Sequence, residues 1–322
     1  MVRVESIDLI AHAEPISQLL QQAWDPPCLF YTPDYLRWQF RFPATTPAIG
    51  YAAYDGEEMI GFMGAFPRHL QFGQTRSEAY IVSFFAIRPA WRPTLVPASL
   101  YAKMLAAFRQ ANVPIVGFAV PGQGGERIAA RAYPAARFGF QTLGPFLGYG
   151  YRPCPPFKPA SVEIRETTDL NLLMEAAEAC TEARLLCNVP DQPMLAHYLK
   201  DPQPRIAVSL HDKKGKRIGA AMIVRSTIVT PQRHRIITTI DNLFLPCPSA
   251  EALYALCHFA STCWTEPGSP LGVVLPNLWG IGPDVLQAAG LRHNGGRFMG
   301  YACAPDPQHP FLRAEGTNLE IV

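Results

Sequence analysis

The residues with the clearest chemical potential are Arg92 and the segments on either side of it. Residues 80–87 are mostly apolar and form a predicted strand, and residues 98–110 have the spacing of an amphipathic helix. Where a strand leads through a loop into a helix, free backbone N–H groups and the positive end of the helix dipole face one point. Arg92 adds a forked donor that suits phosphate oxygens. The stretch predicts an anion site; a strand–turn–helix with a surface arginine is the alternative.

The spacing of the other reactive side chains does not indicate a catalytic group or a metal site. No Ser–His–Asp or Cys–His arrangement is evident, and the eight histidines are scattered. The eight cysteines include no C-x-x-C pair, so we expect no zinc or iron–sulfur site and buried, reduced thiols. Gly122, Gly124 and Gly125 follow a predicted strand, but they lack the register of known phosphate loops.

Length and composition favour a two-domain globular protein. The chain has 322 residues, and single cores seldom grow beyond about 250–300 residues. Its net charge is only +2, and the densest basic cluster, Lys213–Arg217, falls in a predicted hairpin turn. We therefore do not expect the protein to bind long nucleic acids. The sequence has neither a secretory signal nor an apolar run of 18 residues, which predicts a cytoplasmic protein that does not cross a membrane.

The elements that would position Arg92 occur twice along the chain. The order is strand, two helices, three strands, helix, strand, helix and strand, and it returns in the second half. For example, F-L-G-Y-G-Y at 146–151 corresponds to F-M-G-Y-A-C at 298–303. Between the copies, Pro153–Pro159 is typical of a stiff linker. We predict a first domain over residues 1–152, a linker over 153–160, a second domain over 161–303 and a tail over 304–322.

This arrangement resembles the GNAT superfamily of N-acetyltransferases. The loop from Arg92 to Pro97, R-P-T-L-V-P, lies in register with motif A of that family, Arg/Gln-x-x-Gly-x-Gly/Ala, which holds the pyrophosphate of acyl-coenzyme A. The arginine matches, whereas Leu95 and Pro97 replace both glycines and Pro97 removes an N–H donor. The phrase A-A-R-F-G-F at 135–140 is similar to the closing helix-to-strand junction of the family. The resemblance covers nearly the whole chain. It implies an α/β protein with two tandem GNAT-like domains, each a mixed, mostly antiparallel central sheet flanked by helices.

The resemblance also implies which residues meet acyl-coenzyme A. In the family, the splayed end of the fourth strand offers N–H groups to the pantetheine and the acyl carbonyl, and motif A binds the diphosphate. The corresponding positions are Phe85, Ala86, Ile87, Arg92, Thr94, Leu95, Val96, Ala98 and Ser99.

The second copy lacks this loop. Ser83 precedes Leu100 by 17 positions, whereas the equivalent Asp241 precedes Leu253 by only 12, and no arginine lies between them. We therefore expect coenzyme A to bind the first copy alone.

Acyl transfer to an amine also needs a route for the proton of the amine. The tyrosine that often serves the family as general acid is replaced by Ala135 in the first copy and by Leu286 in the second. The remaining candidates for catalysis are Asp241, Glu78, Ser83 and Tyr133. Three have a structural alternative: a loop cap for Asp241, a solvated strand end for Glu78 and a hydrogen bond to backbone for Ser83. Tyr133 lies two positions from the family tyrosine and would face a different side of the helix.

The predicted function is transfer of an acyl group, most simply acetyl, from coenzyme A to an amine of a small molecule, without a metal ion. Two other classes stay open. The loss of both loop glycines and of the family tyrosine fits a non-catalytic binding or scaffold protein. A donor carried by an acyl carrier protein or by aminoacyl-tRNA would tolerate a weak pyrophosphate loop, although the tRNA would require a basic face that this composition barely supports.

Overall fold

The structure of the protein, a computed structural model, describes residues 2–72, 75–122, 124–151, 161–180, 186–264, 272–276 and 280–312. These residues fall into two compact units. The first unit comprises the residues up to Pro145 together with residues 298–312, and the second comprises Phe146–Arg297. The predicted linker and most of the predicted tail lie outside the described residues. The domain boundaries at 152 and 161 therefore stay a prediction.

The first unit contains Arg92 and the elements around it. In chain order these are β1 (Val2–Ser6), α1 (Ala13–Ala23), β2 (Cys28–Leu29), α2 (Pro33–Phe40), β3 (Ile49–Asp55), β4 (Glu58–Phe72), β5 (Thr75–Ile87), α3 (Val96–Ala111), β6 (Ile115–Ala119), α4 (Gly124–Ala135) and β7 (Gly139–Tyr151), which continues into the second unit.

The strand pairs described below for the first unit are antiparallel, with the exception of β5 and β6. Strands β1, β3, β4 and β5 are neighbours in that order, and all are antiparallel. Strand β6 lies parallel to β5, because the chain between them crosses over as helix α3. The β3–β4 hairpin closes through Gly56, whose φ of 60° suits the two-residue turn between Asp55 and Glu58.

Two clusters of buried side chains lie on the two faces of this sheet. Successive residues of a strand point to opposite faces. Accordingly Phe62 of β4 packs with the cluster formed by α1 and α2, whereas the adjacent Met63 packs with the cluster formed by α3 and α4. Each face is thus covered by a pair of helices.

The second unit repeats this plan. Its elements are β8 (Val162–Glu166), α5 (Leu170–Glu178), β9 (Leu186–Asn188), α6 (Gln192–Tyr198), β10 (Arg205–Asp212), β11 (Arg217–Val229), β12 (His234–Phe244), α7 (Ala250–Thr262), β13 (Val273–Pro276), α8 (Pro283–Ala288) and β14 (Leu291–Ala304). Strands β8, β10, β11 and β12 are antiparallel neighbours, and β13 lies parallel to β12. Helices α2 and α6 begin in the same way, with an N–H bound by the side chain of Thr32 or Asp191. The chain therefore contains two copies of one arrangement of strands and helices.

The last strand of each sequence repeat contributes to both units. Residues 148–151 of β7 pair with β13 in the second unit, although β7 ends the first repeat. Residues 299–303 of β14 pair with β6 in the first unit, although β14 ends the second repeat. The repeats therefore exchange the ends of their last strands. No helix among the described residues combines the length and apolarity needed to cross a bilayer.

Candidate functional site

Strand β5 separates from β6 halfway along its length. The pairs Tyr80–Ile115, Ile81–Val116 and Val82–Gly117 are the end of the parallel ladder, so the C-terminal part of β5 has β4 as its neighbour but not β6. The N–H of Arg88 donates to the Ile60 carbonyl of β4 at 2.9 Å. Because hydrogen-bonding direction alternates along a strand, the N–H of Ala86 also points to β4, whereas the N–H groups of Phe85 and Ile87 point away from β4. Two N–H donors therefore face the gap.

A β-bulge at Phe84 produces this change of direction. Gly64 opposes Ser83 and Phe62 opposes Ala86, so β4 has one residue between these pairs and β5 has two. Phe84 has a φ of 59°, which costs roughly 1–3 kcal/mol for a residue that is not glycine. The buried ring of Phe84 packs against Tyr31, Phe40 and Phe66, with ring centroids 5.1, 5.9 and 6.0 Å away. These contacts hold a strained backbone at the point where β5 leaves β6.

The C-terminus of α1 is bonded to the open part of β5. The indole Nε1 of Trp24 donates to the Phe85 carbonyl at 3.2 Å. Arg92 donates from Nε to the Ile87 carbonyl at 3.3 Å and from Nη2 to the Ala23 carbonyl. The carbonyls that face the gap are thus both satisfied, and the bonds hold the strand segment that carries the two N–H groups. Arg92 therefore has a positioning role in addition to the phosphate contact that the sequence predicts.

The loop before α3 keeps a small set of anion donors. Thr94 Oγ1 accepts the Val96 N–H at 3.2 Å and donates to the Trp91 carbonyl at 2.7 Å. Pro97 has no N–H, and within the described part of the chain no acceptor meets the N–H groups of Leu95 and Ala98. The side chain of Leu95 is 81% exposed, so it does not fill the space above the helix N-terminus. Helix α3 begins at Val96, two residues earlier than predicted.

The four catalytic candidates lie in different surroundings. Ser83 is half-buried beside the bulge, and its hydroxyl makes no hydrogen bond to any described residue. Tyr133 is buried among Tyr101, Phe138 and Phe140, and burial raises its pKa well above the usual range of tyrosine. Ser83 lies two residues before Phe85 on β5.

Glu78 fastens a loop of the first unit. Its carboxylate accepts the N–H groups of Thr45 and Thr46 at 2.9 and 3.0 Å and the hydroxyl of Thr46, and His69 Nε2 lies 3.7 Å away. This side chain is only 16% exposed. Glu78 thus has a structural task at the start of β5 that accounts for most of its lone pairs.

Asp241 occupies the bulge of the second unit. Met222 opposes Asn242 and Ile223 opposes Ile240, which leaves Asp241 as the additional residue. Its carboxylate accepts Arg205 Nη1 at 2.7 Å and is 42% exposed. Arg205 also binds Asp201, whose side chain is fully buried, and this burial raises the pKa of Asp201 despite the nearby arginine. Asp241 is therefore an ion-pair partner on a strand that belongs to the other unit.

The structure thus brings together Ser83, Phe85, Ile87 and the loop from Arg92 to Ala98. Glu78 is engaged by a loop, Tyr133 is buried among aromatic rings, and Asp241 belongs to the second unit. Sequence reasoning missed Trp24 and Phe84. Trp24 and Phe85 are 61 positions apart, and no local pattern links a helix C-terminus to a strand at that distance. Burial alternates regularly from Ser83 to Ala86, so the pattern of β5 carries no local signal of the bulge.

Comparison with solved structures identifies the fold. N-myristoyltransferase of Saccharomyces cerevisiae with bound myristoyl-CoA has 11% sequence identity and a TM-score of 0.69, with 94% of this chain and 82% of that chain covered. A GCN5-related N-acetyltransferase of Anabaena variabilis has 12% identity and a TM-score of 0.57, with coverage of 94% and 73%. A probable N-acyltransferase of Enterococcus faecalis has 14% identity and a TM-score of 0.54, with coverage of 93% and 72%. No family model and no curated protein sequence matches the chain. The protein therefore has the fold of the GNAT N-acyltransferases, in two tandem copies.

Proposed function

We propose that this protein is an N-acyltransferase that moves an acyl group from coenzyme A to an amine of a small molecule, with its donor site in the first unit. The observation that carries the proposal is the bulged end of β5, where the N–H groups of Phe85 and Ile87 face a gap next to the N-terminus of α3. The solved structure with bound myristoyl-CoA supports it, because this chain follows the same fold over 94% of its length.

The chemistry follows from these donors. A thioester carbonyl placed in the gap accepts hydrogen bonds from Phe85 and Ile87, which stabilise the oxyanion as the amine attacks. The N–H groups of Leu95 and Ala98 and the charge of Arg92 hold the diphosphate. Ala86 donates to β4 and contributes no contact through its N–H. The hydroxyl of Thr94 and the N–H of Val96 bond to each other within the loop, and Ser99 stays a proposed contact of the ligand.

Ser83 is the first candidate for the group that takes the proton of the acceptor amine. Its hydroxyl lies next to the donors and has no partner among the described residues, so it can bind the incoming amine or a water molecule. Glu78 and Tyr133 act in loop fastening and core packing. Asp241, in the second unit, is still proposed as a general base. Acetyl is the simplest acyl group, and the cytoplasm is the expected location.

The test is binding and turnover of acetyl-CoA. At a ligand concentration about 100 times the dissociation constant, binding should raise the free energy of unfolding by about 2.7 kcal/mol, which a thermal-shift titration detects. Release of free coenzyme A from acetyl-CoA in the presence of a panel of small amines then measures transfer. Absence of a thermal shift at millimolar acetyl-CoA would exclude coenzyme A as the donor.

A donor carried by a protein is the second candidate. Arg92 is already bonded to two carbonyls, and Pro97 removes one of the N–H groups of the loop, so the diphosphate has few contacts. Acetyl-pantetheine, which lacks the diphosphate, separates the two donors. Equal affinity for acetyl-pantetheine and acetyl-CoA would favour the carrier-borne donor, whereas a preference for acetyl-CoA favours coenzyme A.

A further inference from the structure

Helices α3 and α4 form a basic surface on one side of the first unit. The two helices are neighbours, because the rings of Tyr101 and Tyr133 meet edge-to-face with their centroids 6.4 Å apart. Residues 89–137, which include both helices, contain six basic residues and one acidic residue, and so have a net charge of +5 in a chain whose total is +2. The exposed basic residues other than Arg92 define the basic face: Lys103, Arg109, Arg127, Arg131 and Arg137.

The charges of the basic face lack acidic partners. Lys103, Arg127 and Arg131 form no ion pair with any residue that the structure describes. Elsewhere in the chain, by contrast, Arg88 and Arg217 each meet a glutamate. Arg127 and Arg131 are four positions apart on α4, where like charges repel, and Arg127 lies in the first turn, where the helix dipole disfavours a positive charge. An acidic partner would relieve this repulsion.

The basic face begins next to the gap. Helix α3 follows β5 and α4 follows β6, and the two strands are parallel, so both helices begin at the edge of the sheet where the strands end. A Cβ at Gly125, in the first turn of α4, would lie 4.0 Å from Cδ1 of Phe85, whose N–H is one of the donors. Since a helix rises about 1.5 Å per residue, α3 and α4 extend about 24 and 18 Å from that edge. The charges thus cover a larger area than the diphosphate of one coenzyme A.

The shape of the basic face suits a helix of another protein. On α3 the exposed positions Ala98, Ala102 and Ala106 carry only methyl groups, so a second helix can pack closely against them. Leu95, at the end of this row, is 81% exposed. The aromatic rings of α3 and α4 are buried, so the face offers no ring on which a base of single-stranded RNA could stack. Alanines also offer little apolar area for insertion into a membrane. Charge and shape together favour an acidic helix of a protein partner.

We propose that the basic face docks an acidic carrier protein, which brings an acyl group on its phosphopantetheine arm into the gap beside Phe85. The inference rests on the proposed function, because the thioester of this arm is the same as that of coenzyme A and reacts in the same way. The amine nitrogen bonds to the carbonyl carbon, the C–S bond breaks, and the sulfur leaves with the electron pair and takes up the proton that the amine loses. Pro97 and the bonded Arg92 leave few contacts for the diphosphate of free coenzyme A, whereas a carrier protein is held by its own surface.

The experiment measures the affinities for acetylated acyl carrier protein and for acetyl-CoA by isothermal titration calorimetry. We expect the carrier protein to bind, and its affinity should fall at least about tenfold between about 0.05 and 0.5 M NaCl, because salt screens exposed charges. The double variant Arg127→Glu, Arg131→Glu should lower the affinity for the carrier protein at least about tenfold and keep that for acetyl-CoA within about threefold.

A matched control reverses two exposed charges elsewhere. The double variant Lys213→Glu, Lys214→Glu changes the turn between β10 and β11 in the second unit and should alter neither affinity. Glutamate in the first turn of α4 favours the helix, so we expect the arginine variant to fold. The neutral double variant Arg127→Gln, Arg131→Gln replaces it otherwise and should show a smaller loss of carrier-protein affinity.

The outcomes separate this inference from the proposed function. If acetyl-CoA binds and the carrier protein does not, the proposed function stands and the docking surface is wrong. Equal binding of the carrier protein to the wild type and to the arginine variant would also overturn the inference. If the carrier protein binds with and without its arm and acetyl-CoA does not, the docking surface stands but coenzyme A is not the donor. If neither thioester binds, both proposals fall. Binding of polyuridylic acid or of phosphatidylserine vesicles that the arginine variant abolishes, without binding of the carrier protein, would assign the basic face to RNA or to a membrane instead.

Discussion

The hydrogen bond from Trp24 to Phe85 offers the most direct test of the site. Trp24→Phe removes the Nε1–H donor and keeps an aromatic ring against Tyr31, whose centroid lies 5.8 Å from that of Trp24. A neutral hydrogen bond contributes about 0.5–1.5 kcal/mol net, and an unsatisfied carbonyl in a part-buried place adds to the loss. We therefore expect the free energy of unfolding to fall by about 1–2 kcal/mol, as measured by urea denaturation.

The effect on catalysis should be larger than the effect on binding. Removal of one oxyanion donor costs about 10²–10³-fold in kcat, and a donor that is misaligned but present loses part of this. We therefore expect kcat to fall about tenfold while KM for the acyl donor stays within about twofold, because the bond holds the strand segment that carries the N–H of Phe85 and does not contact the ground-state ligand.

Trp38→Phe is the control for loss of a buried tryptophan. Trp38 lies in α2 of the same unit and is buried, so its replacement should lower stability without changing kcat. If Trp24→Phe lowers stability to the same extent and leaves kcat unchanged, the bonded carbonyl of Phe85 does not organise the catalytic centre, and the reasoning from the bulge is wrong.

Three further predictions concern the loop, the proton route and the second unit. Ala98→Glu places a negative charge in the exposed first turn of α3, so stability should rise by about 0.3–1 kcal/mol while affinity for acetyl-CoA, measured by calorimetry, falls about tenfold. The neutral variant Ala98→Gln should keep stability and affinity for acetyl-CoA near those of the wild type. If Ala98→Glu binds acetyl-CoA as tightly as the wild type, this loop does not bind the diphosphate. Ser83→Ala should lower kcat by about tenfold or more if the hydroxyl relays the proton, with a change in stability below about 0.5 kcal/mol; a normal kcat would exclude this role. Arg205→Met leaves Asp201 buried without its partner and should cost about 3–5 kcal/mol at pH 7 by urea denaturation. Burial already raises the pKa of Asp201 above 3.8, so the folded state binds a proton more readily than the unfolded chain. The stability of this variant should therefore recover as the pH is lowered through that raised pKa and be lost again as the pH rises. A loss of stability that does not depend on pH would contradict this.

Much of the local structure follows from the sequence by itself. Periodicity and corresponding phrases predicted the order of elements and the duplication, the resemblance of the Arg92 loop and of the closing junction implied the GNAT-like fold, and the fold is confirmed. Local chemistry explains this success. A capping side chain such as Thr32, a proline in the first turn and a hairpin glycine such as Gly56 act within a few residues, where chain entropy is small and few alternatives compete. The strand–loop–helix around Arg92 is likewise predicted from residues that are close together in the sequence.

The tertiary structure alone decided which distant residues share the site. The ends of β7 and β14 have nearly the same pattern of glycine and aromatic residues, so the sequence allows either strand end to pair with β6 or with β13. In the structure, β14 pairs with β6 and β7 pairs with β13. Likewise Trp24 meets Phe85 across 61 positions, and the guanidinium of Arg92 meets a carbonyl of α1. Such contacts depend on how whole elements pack, because a donor acquires its acceptor only after the helix and the strand that carry them have been placed together.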